Sequence, residues 1–192
     1  MSTEDKKIIL ITGGSGSIGL SLIKELEKKH IIYNVSRHPV ESEHVKNISL
    51  DLSSDFDTAL FPQNAEVVIH LAQSENFRNF PEKAIDIFNT NTVSTAKLAD
   101  FAVKTKVKKF IYASSGGIYG SHDKINYEND VLPVSDLGFY LSSKLCSEII
   151  LDSYKNLMDT QVLRFFFVYG PYQTKSMLIP RLIEKIKNGQ PI

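Results

Sequence analysis

The sequence predicts an α/β fold, a doubly wound parallel sheet forming a single domain over residues 1–192, and three observations carry that prediction. Apolar runs of strand length alternate with helical periodicity from one end of the chain to the other. The first run, Ile8-Ile9-Leu10-Ile11, has no polar residue and suits a strand buried on both faces. Between it and the first helical stretch lies Thr12-Gly13-Gly14-Ser15-Gly16-Ser17-Ile18-Gly19, so strand, glycine turn and helix meet in one place. Parallel neighbours need right-handed crossovers, which cover both faces of the sheet with helices.

Ile18, Leu22 and Leu26 recur at helical spacing after the turn. In that turn Gly13 permits the tight bend, Gly16 lets backbone approach a pyrophosphate, and Gly19 lets the helix pack closely. The helix N-terminus then offers free N–H groups and positive dipole to phosphates; an ordinary glycine turn is the plainer alternative. Ile31-Ile32-Tyr33-Asn34-Val35 is a second strand, ending at Ser36-Arg37-His38-Pro39. An acidic residue there would take the 2′-hydroxyl of the adenine ribose of NAD, whereas Arg37 can accommodate the 2′-phosphate of NADP or simply sit in a solvated basic loop.

Asn47-Ile48-Ser49-Leu50 is a short third strand running into Asp51-Leu52. Asp51 either accepts a bond from the adenine amino group or caps the helix after it. Glu66 to Ala72 is a fourth strand; His70 inside it reads as a hydrogen-bonded core histidine, with no second ligand spaced for a metal. From Pro81 to Lys106 runs a long helix with Ala84, Phe88, Thr95, Ala99 and Ala102 on one face. Asn91, in its middle, serves either a local backbone kink or a water near a reacting centre, since a buried amide left unpaired costs ~1 to 3 kcal/mol.

Lys109 to Ala113 is a fifth strand, delivering Ser114-Ser115-Gly116-Gly117-Ile118-Tyr119-Gly120 at its carboxyl end, where ligands of open parallel sheets bind. Tyr140 and Lys144 lie four apart on a helix whose core face is read as Leu141, Leu145 and Ile149. A phenol needs about three pKa units, ~4 kcal/mol, of anion stabilisation to act as a base near neutrality. A lysine ammonium and an oxidised nicotinamide nearby would supply it. Asp159 to Val168 is a sixth strand and Met177 to Lys187 a last helix, stopped by Asn188-Gly189.

Lys plus Arg and Asp plus Glu both count 22, so no basic field points to nucleic acid or an acidic membrane. Cys146 is the only cysteine, which excludes an internal disulfide and a multi-cysteine metal site and fits a reducing compartment. The start, Met1 to Lys7, is polar and reads as no signal peptide, and no apolar run is of membrane-spanning length. A soluble, cytoplasmic protein with a small-molecule substrate and no metal is expected.

With Gly13, Gly16, Gly19, Ser115, Tyr140 and Lys144 in this order, the sequence resembles the extended short-chain dehydrogenase/reductase family, in its NAD(P)-dependent epimerase/dehydratase branch acting on nucleotide sugars. Asp51-Leu52, His70-Leu71-Ala72, Ser114 to Gly120 and Arg164 to Pro171 stand where that branch carries its motifs. The resemblance implies a Rossmann-like domain with Tyr140 as general acid/base, Lys144 lowering its pKa and holding the nicotinamide ribose, and Ser115 bonding the reacting oxygen. It places the cofactor, NADP in preference or NAD, against Gly13, Gly16, Ser17, Ile18, Gly19, Ser36, Arg37, Asp51, Leu52, Leu71, Ala72, Gln73, Tyr140, Lys144 and Val168. Asn91 matches the family's helix asparagine. It also implies a homodimer through the two helices Pro81 to Lys106 and Leu137 to Leu157, with Ile85, Ile150 and Tyr154 on their second faces.

Three departures sharpen the expectation. Gly116-Gly117 replace the Asp-Glu pair of dehydratases, which favours epimerisation or reduction. Phe167 stands where the family's asparagine helps bind a nucleotide sugar. Family members also continue well beyond residue 192 with most of a substrate domain. The chain is therefore expected to be a fragment or truncated form, or one that lost that half, binding NADP but turning over nucleotide sugars slowly or not at all. A non-catalytic NADP sensor or scaffold, and a small carbonyl reductase using the loops between Gly116 and Gly138, are the other readings.

Overall fold

The structure, a computed structural model, describes residues 6–191; Met1 to Asp5, most of the polar start, and Ile192 lie outside the described residues. Among the described residues, strands β1 (Ile8–Thr12), β2 (Ile31–Ser36), β3 (Val45–Ser49), β4 (Val67–His70), β5 (Lys109–Ser115) and β6 (Asp159–Phe165) form one parallel sheet in the order β3-β2-β1-β4-β5-β6. Helices α1 (Ser17–Leu26), α2 (Ala84–Phe88), α3 (Ser94–Lys104), α4 (Gly138–Asp152) and α5 (Leu178–Lys187) complete the alternation. The chain runs outward from β1 to β3 and then returns to β4, so the strand order reverses between β1 and β4. A crevice opens at the carboxyl ends of the strands at such a reversal.

Side chains alternate across a strand, and β1 divides the core accordingly. Leu10 packs with Val68, Phe110, Leu98 and Phe101 on one face, Ile9 and Ile11 with Ile23, Ile32 and Ile69 on the other. Full burial of an aliphatic side chain stabilises by about 1.5 to 3 kcal/mol, so the unbroken apolar run of β1 anchors both layers.

The expected helix from Pro81 to Lys106 is one rod interrupted by a π turn, Asn89–Val93, between α2 and α3. That turn shifts the helix phase by one residue. Thr95, Ala99 and Ala102 are buried as predicted, but before the turn the buried residue is Ile87, while Phe88 is 38% exposed. Asn91 sits in the turn, fully buried: Oδ1 accepts from the Ser74 N–H (3.0 Å), Nδ2 donates to Ser143 Oγ (2.9 Å), and its carbonyl accepts from Thr95 Oγ1 and Ser147 Oγ. The Asn91 side chain thus ties the loop after β4 to α4, and its bonds are not to the backbone of the π turn it sits in.

The inward face of α4 also differs from expectation. Ser143, Lys144, Ser147, Glu148 and Leu151 are buried, whereas Ile149 is 62% exposed. Small hydroxyl residues let α4 approach the π turn closely, and their hydrogen bonds to Asn91 and its neighbours offset the cost of burying them. Tyr154, expected on an outward face, packs against the main core, while Ile85 is 72% exposed. Strand β6 ends at Phe165, leaving Phe166, Phe167 and Val168 outside it, and Phe167 is 99% exposed. The remaining strands match within two or three residues at each end, and α5 begins at Leu178. Among the described residues no helix is long and apolar enough to cross a membrane.

Candidate active site

A cavity of about 190 Å³ lies at the carboxyl ends of β1, β2 and β4, at the strand-order reversal. Of the predicted cofactor residues, Gly13, Gly16, Ser36, Arg37, Asp51, Leu52, Leu71, Ala72 and Gln73 line it. Gly13 has φ +70°, and its N–H donates to the Val35 carbonyl at 2.9 Å. A Cβ on it would come within 2.7 Å of the Ala72 backbone, so only glycine lets the turn lie against the end of β4. A Cβ on Gly16 would touch only the Gly13 carbonyl, at 3.3 Å, and would otherwise stand over the open groove. Gly19 packs on the turn itself, a Cβ there falling 2.5 Å from Gly14 Cα. Gly16 is the N-cap of α1 and supplies no side chain to its first amides, which are free for an anion.

The far wall is charged. Arg37 Nη1 donates to Glu75 Oε1 at 2.8 Å, and this hydrogen bond raises the guanidinium pKa. Asp51 Oδ1 accepts from the backbone N–H and hydroxyl of Ser53, bonds that lower its pKa, so the residue caps a turn and lines the cavity as well. Ser74, Glu75 and Asp86 line this wall too, and no motif in the sequence points to them. Their only sequence signal is that Ser74 and Glu75 come just after His70-Leu71-Ala72 at a strand's carboxyl end.

Ser17, Ile18 and Val168 do not line this cavity. They surround a separate hollow of about 200 Å³ with Tyr169 and Gly170, because Val168 leaves the sheet after β6 has ended.

Gln73 connects the groove to the predicted catalytic group: the Tyr140 hydroxyl donates to Gln73 Oε1 at 2.9 Å, and the Tyr140 ring lies 5.3 Å from that of Phe77. Lys144 is 1% exposed, with Nζ donating to the Ala113 carbonyl at 2.9 Å. Burial pulls its pKa down to about 7, against the opposing carboxylate of Glu148. The Tyr140 phenol is raised by burial, not lowered. The ammonium expected to depress it is engaged with β5 instead. Ser115 Oγ accepts from the Gly117 N–H at 3.2 Å and caps the 3₁₀ turn Gly116–Tyr119. Arg164 holds that turn from β6, donating to Tyr119 Oη at 2.7 Å, to both carboxylate oxygens of Glu148, and to the Glu128 carbonyl.

His70 is fully buried between Thr12 Oγ1 (2.6 Å) and Thr95 Oγ1 (3.0 Å), and burial drives its pKa to about 3. It is the core histidine the sequence predicts. Among the described residues no three His, Cys, Asp or Glu side chains cluster as metal ligands.

Residues 9–192 match the family model for the NAD dependent epimerase/dehydratase family. The chain belongs to that family. The chain is 29% identical over 203 residues to a probable UDP-glucuronate 4-epimerase of Rhizobium meliloti, covering 95% of this chain and 60% of the relative. It is 29% identical over 199 residues to a putative UDP-glucose 4-epimerase of Methanocaldococcus jannaschii, covering 96% and 65%. A solved structure of MoeE5 with UDP-glucose and NAD superposes with a TM-score of 0.76 at 28% identity, covering 96% of this chain and 62% of that one. The fold alone is shared with a UDP-N-acetylglucosamine 4-epimerase from Methanobrevibacter ruminantium, TM-score 0.86 at 24% identity, covering 97% and 64%. The chain thus spans about three fifths of the length of the family members it matches.

Proposed function

We propose that residues 1–192 are the dinucleotide-binding and catalytic part of an NAD(P)-dependent epimerase or reductase whose substrate is a nucleotide sugar. One observation carries the reading: Gln73 lines the groove behind the glycine turn and at the same time holds the Tyr140 hydroxyl. The acid/base group therefore stands one hydrogen bond from the cleft wall, although Ser115, Tyr140 and Lys144 do not themselves line the cavity. The residues fit a dinucleotide, since Gly13 lets the turn close against β4, the backbone of Gly16 is bare where a Cβ would stand over the groove, and α1 points its uncapped amides there. The nicotinamide, when bound, supplies hydride transfer at the substrate carbon.

The chain's own groups handle the proton. Tyr140 Oη gives it to, or takes it from, the substrate oxygen, and Ser115 Oγ at the carboxyl end of β5 steadies that oxygen by a hydrogen bond. Lys144 would supply the positive charge that a phenolate needs once its Nζ turns from the Ala113 carbonyl, which holds it in this structure. The similarity to proteins named as UDP-sugar epimerases supports a UDP-sugar as the substrate class.

Arg37 brings a fixed positive charge to the groove wall, and a guanidinium pairs with a phosphate dianion in forked geometry, a bond worth about 1.5 to 3 kcal/mol. NADP is expected to bind more tightly than NAD, and Arg37→Ala to remove the difference. Calorimetric titration of both cofactors tests this; equal affinities in the parent would reject the NADP preference, and no binding of either would reject the whole reading. A panel of UDP-, GDP- and dTDP-sugars then identifies the substrate. We also propose a cytoplasmic homodimer through the helical stretches Pro81 to Lys106 and Leu137 to Leu157, supported by the exposed Ile85, Val93 and Ile149. Light scattering is expected to give twice the mass of the chain at micromolar concentration, and a monomer would count against the pairing.

A further inference from the structure

The Arg37–Glu75 pair crosses the groove from the end of β2 to the loop after β4, joining two segments 38 residues apart in the chain. Glu75 is held there by its neighbours. The Ser74 N–H donates to Asn91 Oδ1 and the Ser74 hydroxyl to Asp86, while the Asn76 N–H donates to Ser74 Oγ and its amide to Asp86. These bonds fix the chain on either side of Glu75, so its side chain starts from a set position facing Arg37, and its carboxylate is bonded to Arg37 itself.

We propose that Glu75 is a specificity-determining residue for the cofactor, competing with a 2′-phosphate for the Arg37 guanidinium. The inference rests on the reading of this groove as a dinucleotide site. A cofactor with a bare 2′-hydroxyl leaves the pair intact. One with a 2′-phosphate must turn Arg37 away from Glu75 and meet the carboxylate as a like charge. Asp51 and Asp86, lining the same wall, add to the negative side, so Arg37 faces three carboxylates and its availability to phosphate depends on which holds it. Glu75 thus acts through Arg37 and lowers the discrimination in favour of NADP that Arg37 would otherwise give.

The pair is partly solvated, with side-chain exposures of 44% and 65%, and such pairs are worth up to about 1 kcal/mol. Glu75→Gln is therefore expected to raise the NADP-to-NAD affinity ratio about fivefold, with NAD affinity changed by less than about twofold. Calorimetric titrations of NAD and NADP into the parent, Glu75→Gln, Arg37→Ala and the double variant read this directly. In the Arg37→Ala background the Glu75→Gln effect on the ratio should vanish. An unchanged ratio in Glu75→Gln, or the same shift surviving without Arg37, would overturn the inference while leaving the dinucleotide site standing. Failure of the parent to bind either cofactor would instead remove the reading beneath it. Melting temperatures of the four proteins should agree, since the substituted side chains lie at the surface, and a common drop in both affinities would mark a merely structural role and overturn the inference.

Discussion

Replacing Tyr140 with phenylalanine is expected to lower turnover by at least about a hundredfold, the usual scale for a general acid or base, while cofactor affinity stays within about twofold of the parent. The substitution removes one oxygen and keeps the ring against Phe77, so the wall it forms survives. What disappears is the transferable proton and one hydrogen bond to Gln73. The measurement is steady-state rate on whichever nucleotide sugar the parent accepts, beside titrations of cofactor. Near-parental turnover would remove Tyr140 from the chemistry and leave Ser115 or a water to carry the proton.

The second large effect concerns the glycine turn, where position decides outcome. In Gly19→Ala the new methyl would fall 2.5 Å from Gly14 Cα and from its carbonyl oxygen and 2.6 Å from the Gly13 carbonyl oxygen, all backbone atoms. The turn has to shift, and overpacking of this kind costs about 1 to 3 kcal/mol in stability as well as distorting the phosphate cradle. Gly16→Ala should behave otherwise: its methyl meets one carbonyl at 3.3 Å and projects over the groove, so folding is kept and dinucleotide binding falls more than about tenfold. Gly170→Ala, with nothing within 4 Å, is the control for folding. Thermal melts paired with cofactor titrations separate the three. If Gly16→Ala bound cofactor as the parent does, the pyrophosphate would not lie on this turn.

Much of this was legible in the sequence because the signals were local. The apolar run of β1, the glycines behind it, and Tyr140 and Lys144 one helical turn apart need no knowledge of the rest of the chain. His70 was readable for the same reason, as a polar residue inside a strand with no ligand partner. The failures were non-local. The phase slip at Asn89–Val93 leaves no mark in periodicity, and an uninterrupted helix would put Phe88 inward, where the structure has Ile87 instead. The face of α4 is not legible from polarity, because Ser143, Lys144 and Ser147 point inward and find partners on β5 and the π turn while Ile149 faces out. Glu75 was invisible for want of its partner, since Arg37 lies on another strand's end.

The glycine groove exists only where distant parts of the chain have already met. Gly13 is held by Val35 of β2, Leu71 hangs from Thr12, and β1 pairs with β4 only after the whole excursion through β2 and β3 has returned. Every ladder in the sheet is parallel, so none is closed by a hairpin, and folding must complete a slow topological search before any phosphate-binding surface appears. A dinucleotide that binds there recognises the finished sheet and no precursor of it. By mass action a cofactor bound there would draw the population toward that state and shield the β1–β4 seam from opening, so saturating cofactor is expected to slow proteolysis of the chain.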